Sequence, residues 1–160
     1  MRHPALGIVK GVYSALNGNV TLGGETIPVY STMPQGVDGY YIYISSLRNQ
    51  EDYTKQNFGG TVRFDVKVIS PTLEDSGSKL GMYDIASQVM EILRPTRAGN
   101  LALDDDLENK LFYLEDSREL EDVTPTGKNY QVVLSMLCEY EQNGIESPGA
   151  FSNGFSDGFN

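Results

Sequence analysis

The amino-acid sequence predicts an α+β fold, a mixed, mainly antiparallel sheet packed by an N-terminal helix and a longer central helix. Three observations carry that reading. Residues 61–69 alternate strictly, with Val62, Phe64, Val66 and Val68 on one side and Thr61, Arg63, Asp65 and Lys67 on the other. A period of two is the mark of a strand with one buried face. Met82, Ile85, Ala86, Val89 and Leu93 recur at spacings of three and four, one stripe of a helix, with Asp84, Ser87, Gln88 and Glu91 away from it. A last strand alternates Tyr130, Val132, Leu134, Met136, Cys138 and Tyr140 against Gln131, Ser135 and Glu139.

The remaining elements follow in chain order. Residues 4–16 read as a short helix, its face formed by Leu6, Val9, Val12, Tyr13 and Leu16. Pro4 suits a first turn, Asn17-Gly18 suits a left-handed stop, and Gly7 and Gly11 weaken the helix. Gly23-Gly24, between residues 20–22 and 26–30, signals a hairpin, and Pro28 pushes its second arm to a sheet edge. Residues 31–39 read as loop. Residues 39–47 read as an aromatic strand, apolar on both faces, which suits a central strand covered on both sides or buried by a neighbouring subunit. Residues 48–60 read as a polar connection, long for a hairpin. The central helix spans 78–94, capped by Asp75, Ser76 or Ser78 and stopped by Pro95. Residues 96–109 read as loop, with a short strand near Leu101. Segments 110–115 and 129–140 read as an antiparallel pair, joined by an acidic run and the turn Thr124-Pro125-Thr126-Gly127.

Length and organisation give one domain over residues 1–142 and a Gly/Ser/Asn/Phe-rich tail over 143–160, with no boundary between them but the tail itself. The tail repeats Ser-Asn-Gly-Phe and Ser-Asp-Gly-Phe. It reads either as a flexible tail or as an arm whose Phe151, Phe155 and Phe159 anchor on another chain.

The chain carries 12 Lys and Arg against 22 Asp and Glu, a net charge of −10, which argues against a general nucleic-acid or anionic-membrane binder. The charge is uneven. Residues 1–80 are neutral, while 104–122 hold nine carboxylates against Lys110 and Arg118, a net −7. That stretch reads as a solvated face or as a surface that repels or guides another polyanion. One His, His3, and one Cys remove His-based triads, zinc clusters and disulfide scaffolds. Cys138 reads as a small buried hydrophobe. Gly127-Lys128 fails as a phosphate loop because Asn129 follows and Asp122 replaces the leading Gly. Asp104, Asp105, Asp106 and Glu108 form an oxygen-rich cluster without calcium-loop spacing. The chain therefore reads as no enzyme, with no cofactor and no metal. No secretory leader follows Met1 and no membrane span is evident, so synthesis in the cytoplasm is the expectation.

Four segments carry a resemblance: LGIVKGVYSAL at 6–16, PQGVDGYYIYIS at 34–45, VRFDVKVIS at 62–70 and YDIASQVMEIL at 83–93. In that order they resemble the tail-terminator (tail completion, tail-to-head joining) proteins of long-tailed bacteriophages, over residues 4–140. The long acidic segment and the Phe-bearing tail depart from the pattern. The resemblance implies a ring of identical subunits, a hexamer, that caps the tail tube, ends tube growth and joins the tail to a head connector or stopper protein in the virion neck. DNA passes through such a ring without specific binding, and assembly takes place in the bacterial cytoplasm.

On that expectation the lumen or rim is lined by Asp104, Asp105, Asp106, Glu108, Glu115, Asp116, Glu119, Glu121 and Asp122. Subunit or tube contacts fall to Tyr40, Tyr41, Tyr43, Arg48, Glu51, Asp52, Tyr53, Lys55 and Phe58. The alternatives are another neck or baseplate subunit, and a ligand-binding or regulatory α+β domain using the Tyr-rich strand as a pocket.

Overall fold

A computed structural model describes residues 4–37, 39–53, 58–70, 80–93, 103, 107–124 and 127–142. Helix α1 spans Pro4–Leu16. Strands β1 (Thr21–Leu22) and β2 (Glu25–Thr26) form a separate small hairpin, and β3 covers Val29–Tyr30. Strands β4 (Tyr41–Tyr53) and β5 (Phe58–Ile69) follow, then helix α2 (Leu80–Leu93) and strands β6 (Leu107–Thr124) and β7 (Gly127–Gln142). The main sheet has the order β3-β4-β5-β7-β6. Among the described strands, β3 and β4 alone pair in parallel; the other pairs are antiparallel. The α+β fold with a mixed, mainly antiparallel sheet is therefore present.

The core lies between the two helices and one face of this sheet. Met82, Ile85, Ala86, Val89 and Leu93 of α2 are buried against Val62, Phe64, Val66 and Val68 of β5 and the even-numbered residues 130–140 of β7. Both periodicities read from the sequence thus meet at one interface. The Phe64 and Phe112 rings sit at its centre, 6.1 Å apart.

Helix α1 has the expected bounds, and Asn17 N–H closes it on the Tyr13 carbonyl, followed by Gly18 at φ 80°. Its buried face differs from the expected one. Ile8, Val12 and Leu16 are fully buried, whereas Leu6 is 48% exposed and Tyr13 is exposed. Gly7 and Gly11 are buried, so the residues that weaken the helix in isolation lie on its packed side.

The predicted second hairpin arm, 26–30, is split. Gly23 and Gly24 at φ 60° and 84° turn β1 into β2, as two-residue hairpin turns require. Pro28 then interrupts pairing, and β3 joins the sheet edge alongside Ile42 and Tyr43. The Ile42 N–H donates to the Pro28 carbonyl at 2.9 Å. The Gln88 side chain of α2 ties the small hairpin down, donating to the Thr21 carbonyl and accepting from its N–H at 2.7 and 3.0 Å.

Two connections predicted as loops are strands. Residues 48–53 and 58–60 continue β4 and β5 as one ladder, from Arg48 opposite Arg63 to Tyr53 opposite Phe58. The acidic run 116–124, read as a connection, forms the far half of β6 and pairs with β7 down to Thr124 opposite Gly127. These stretches lack apolar alternation, and backbone hydrogen bonds to a neighbouring strand hold them instead. The 39–47 strand is also less central than expected. Tyr41–Tyr53 is next to the edge, and β3 covers only two of its residues. The capping residues expected at 75–78, the short strand near 101 and the tail 143–160 lie outside the described residues.

Candidate functional site

The acidic surface is built on β6, the edge strand of the main sheet. Antiparallel partners share a face, so the register with β7 sorts its carboxylates. Glu119 and Glu121 lie opposite Val132 and Tyr130, on the helix side. Glu108 and Asp116 lie opposite Glu141 and Ser135, on the open side. Glu115 sits at a register shift between Leu114 and Asp116. The acids therefore flank both sides of an exposed edge. Asp122 belongs to the same strand, its side chain outside the described residues, as are Asp104, Asp105 and Asp106.

Several of these carboxylates have local partners. Tyr83 donates to Glu119 at 2.7 Å. Arg118 meets Asp116 at 3.4 Å. Glu108 faces Glu141 directly across the ladder, a repulsive pair, and Lys110 bridges both at 2.7 and 3.5 Å. The hydrogen bond from Lys110 to Glu108 raises the lysine pKa above its ordinary value.

The open face of the sheet carries the aromatic strand. Tyr41 and Tyr43 are half-buried there, opposite Ile69 and Lys67. Tyr41 packs edge-on against Tyr30 at 5.9 Å, and burial raises its hydroxyl pKa. The Lys67 ammonium lies 6.0 Å from the Tyr43 ring centre. Tyr40 is different: it packs against the core, its hydroxyl close to Gly81. Three tyrosines grouped by sequence thus separate into two surface residues and one packing residue.

Besides Ile69, buried opposite Tyr41, two buried residues of β7 on this open face escaped the sequence reading. Val133 is fully buried and Leu137 is 4% exposed, both facing away from the main core. Leu137 lies between Arg63 of β5 and Tyr113 of β6, and Arg63 reaches over it to Glu115 at 3.0 Å. Val133 is flanked across the ladder by Lys67 and Arg118, residue types whose aliphatic stems cover apolar surface. The signal was present in the alternation of β7, where Val133 and Leu137 occupy positions assigned to the polar face.

Arg48 and Glu51 are exposed on the β4–β5 hairpin, and Tyr140 anchors that hairpin by donating to Asn49 at 2.9 Å. Lys55 and the side chains of Asp52, Tyr53 and Phe58 lie outside the described residues, as do Phe151, Phe155 and Phe159.

A groove of about 560 Å³ runs between α2 and the β6–β7 ribbon. Ala86, Met90, Leu114, Val132 and Leu134 make it apolar, and Glu91, Arg118 and Glu119 supply its charge. Among the described residues no group of three or more His, Cys, Asp or Glu is placed to hold a metal ion, and no helix is long and apolar enough to cross a membrane.

No protein-family model matches the chain, and no curated protein matches it. Among solved structures it is similar to a chain of the virion of a native gene transfer agent particle, with a TM-score of 0.67 and 15% identity, covering 88% of this chain and 99% of that one. The two chains share a fold across almost the whole of the virion protein.

Proposed function

We propose that this chain is a phage-type structural virion protein that acts as a tail terminator. It forms a ring of identical subunits on the last ring of the tail tube, ends tube growth and presents a surface to the head connector. The observation that carries the reading is the fold shared with a gene transfer agent virion chain along nearly its full length. The four segments resembling tail terminators point the same way.

The acidic edge gives the ring its relation to DNA. Glu115, Asp116, Glu119 and Glu121 are exposed along one strand. Facing a lumen, they would repel phosphates and let the duplex slide without binding. Subunits would meet through surfaces on β4 and its hairpin, where Tyr41, Tyr43 and Arg48 lie.

The test is to assemble particles without this protein and measure tube lengths by electron microscopy. Overlong tubes that fail to join heads are expected. Tubes of normal length that fail to join heads would move the protein to another neck position. Normal, joined tails would sink the proposal.

A further inference from the structure

Six large apolar side chains are exposed among the described residues, and four lie on the helices: Leu6 and Tyr13 on α1, Leu80 and Tyr83 on α2. Leu6 and Tyr13 are seven residues apart, two turns on one side of α1, or about 10.5 Å along its axis. Tyr83 and Met90 have the same separation on α2, and both line the groove beside it. Lys10, the only charged residue of α1, stands between Leu6 and Tyr13 and is exposed. Glu91 of α2 stands at the helix side of the groove, and Arg118 and Glu119 at its β6 side, where Tyr83 donates to Glu119. One helix thus offers two apolar knobs around a cation, and another surface offers an apolar trough with the Glu91 carboxylate on its helix side.

We propose that the groove beside α2 is the seat for α1 of a second copy of this chain. Leu6 and Tyr13 enter between Tyr83 and Met90, at matched spacing, as ridges of one helix enter grooves of another. Lys10 faces the carboxylate of Glu91. No residue of α1 lines the groove, so helix and groove are different surfaces of one subunit, and within a ring the contact is heterologous. Each subunit gives its helix to one neighbour and its groove to the other, and such contacts close into rings when the rotation permits. The inference rests on the ring reading above and names surfaces that meet within it.

Two preparations, Leu6→Cys and Ser87→Cys, test it when mixed under mild oxidation. Both positions are exposed and Cys138 is fully buried, so only the new thiols compete. The expected product is a mixed disulfide dimer that outweighs either self-dimer. Self-dimers alone, or no cross-link, would overturn the interface. Sedimentation velocity separates the two ideas: wild-type rings without a mixed disulfide remove this interface and leave the ring. Persistent monomer with no mixed disulfide also removes the interface, and the ring then rests on the tube-length experiment. As a second arm, Lys10→Glu should weaken assembly, and combining it with Glu91→Lys should recover it.

Discussion

Single residues settle where this protein's stability is concentrated. Phe64 and Phe112 are almost fully buried and adjacent in the core. Truncating either to Ala should cost about 3–5 kcal/mol, read from the denaturant midpoint at constant slope. Cys138 is buried beside Asn109, 3.5 Å from its side-chain oxygen, and burial pushes its thiol up to about 12. The thiol should resist alkylation at pH 8 in the native protein and react once denaturant is added; rapid native-state alkylation would contradict its placement. The sign of its linkage follows. The native thiol keeps its proton above the ordinary value of 9.0, so its contribution is complete below pH 9 and lost as pH rises toward 12. Lys110, between Glu108 and Glu141, makes a different case, because it is exposed. Replacing it with Met should lower stability slightly at low salt and have no effect at high salt, where the carboxylate repulsion is screened. The core residues of β5, α2 and β7 were legible in the sequence because one-sided burial leaves a period. Val133 and Leu137 were not, because charged neighbours on adjacent strands cover them, and strand adjacency cannot be read from alternation.

At the scale of elements, the long ribbons are what sequence patterning missed. A strand that is exposed on one side and pairs at its end needs backbone partners more than apolar side chains, so polar runs at 48–53 and 116–122 resemble loops. The glycines of the facing stretch, Gly59 and Gly60, hold the clue. A Cβ on Gly60 would lie 2.5 Å from the Gln50 carbonyl oxygen and 2.8 Å from the Tyr140 hydroxyl. Only glycine lets β4, β5 and β7 approach as they do at that rung. Gly60→Val should therefore destabilise the protein by about 1–3 kcal/mol or more, and it should raise amide exchange first at 49–53, nearest the displaced rung. Unchanged exchange there would argue that the hairpin does not pair as described. The helices were legible almost to the residue, yet the outward face of α1 was not. Leu6 and Tyr13 fit a helical period as well as Ile8 does, and periodicity alone does not say which of two apolar stripes meets the core.

For the whole molecule, the uneven charge takes on a definite shape. All the described acids of the 104–122 run stand on one 18-residue edge strand, distributed to both of its sides. Charged side chains along an edge strand discourage uncontrolled strand addition. The fold that carries this edge is shared with a chain of a gene transfer agent virion. The direct measurement is a cryo-electron microscopy reconstruction of the tail in particles carrying this protein. The account predicts a single ring of this chain at the head-proximal end of the tube, with β6 turned toward the bore. A ring at the other end, or one whose bore is lined by other elements with the acidic edge of β6 turned away from it, would contradict it.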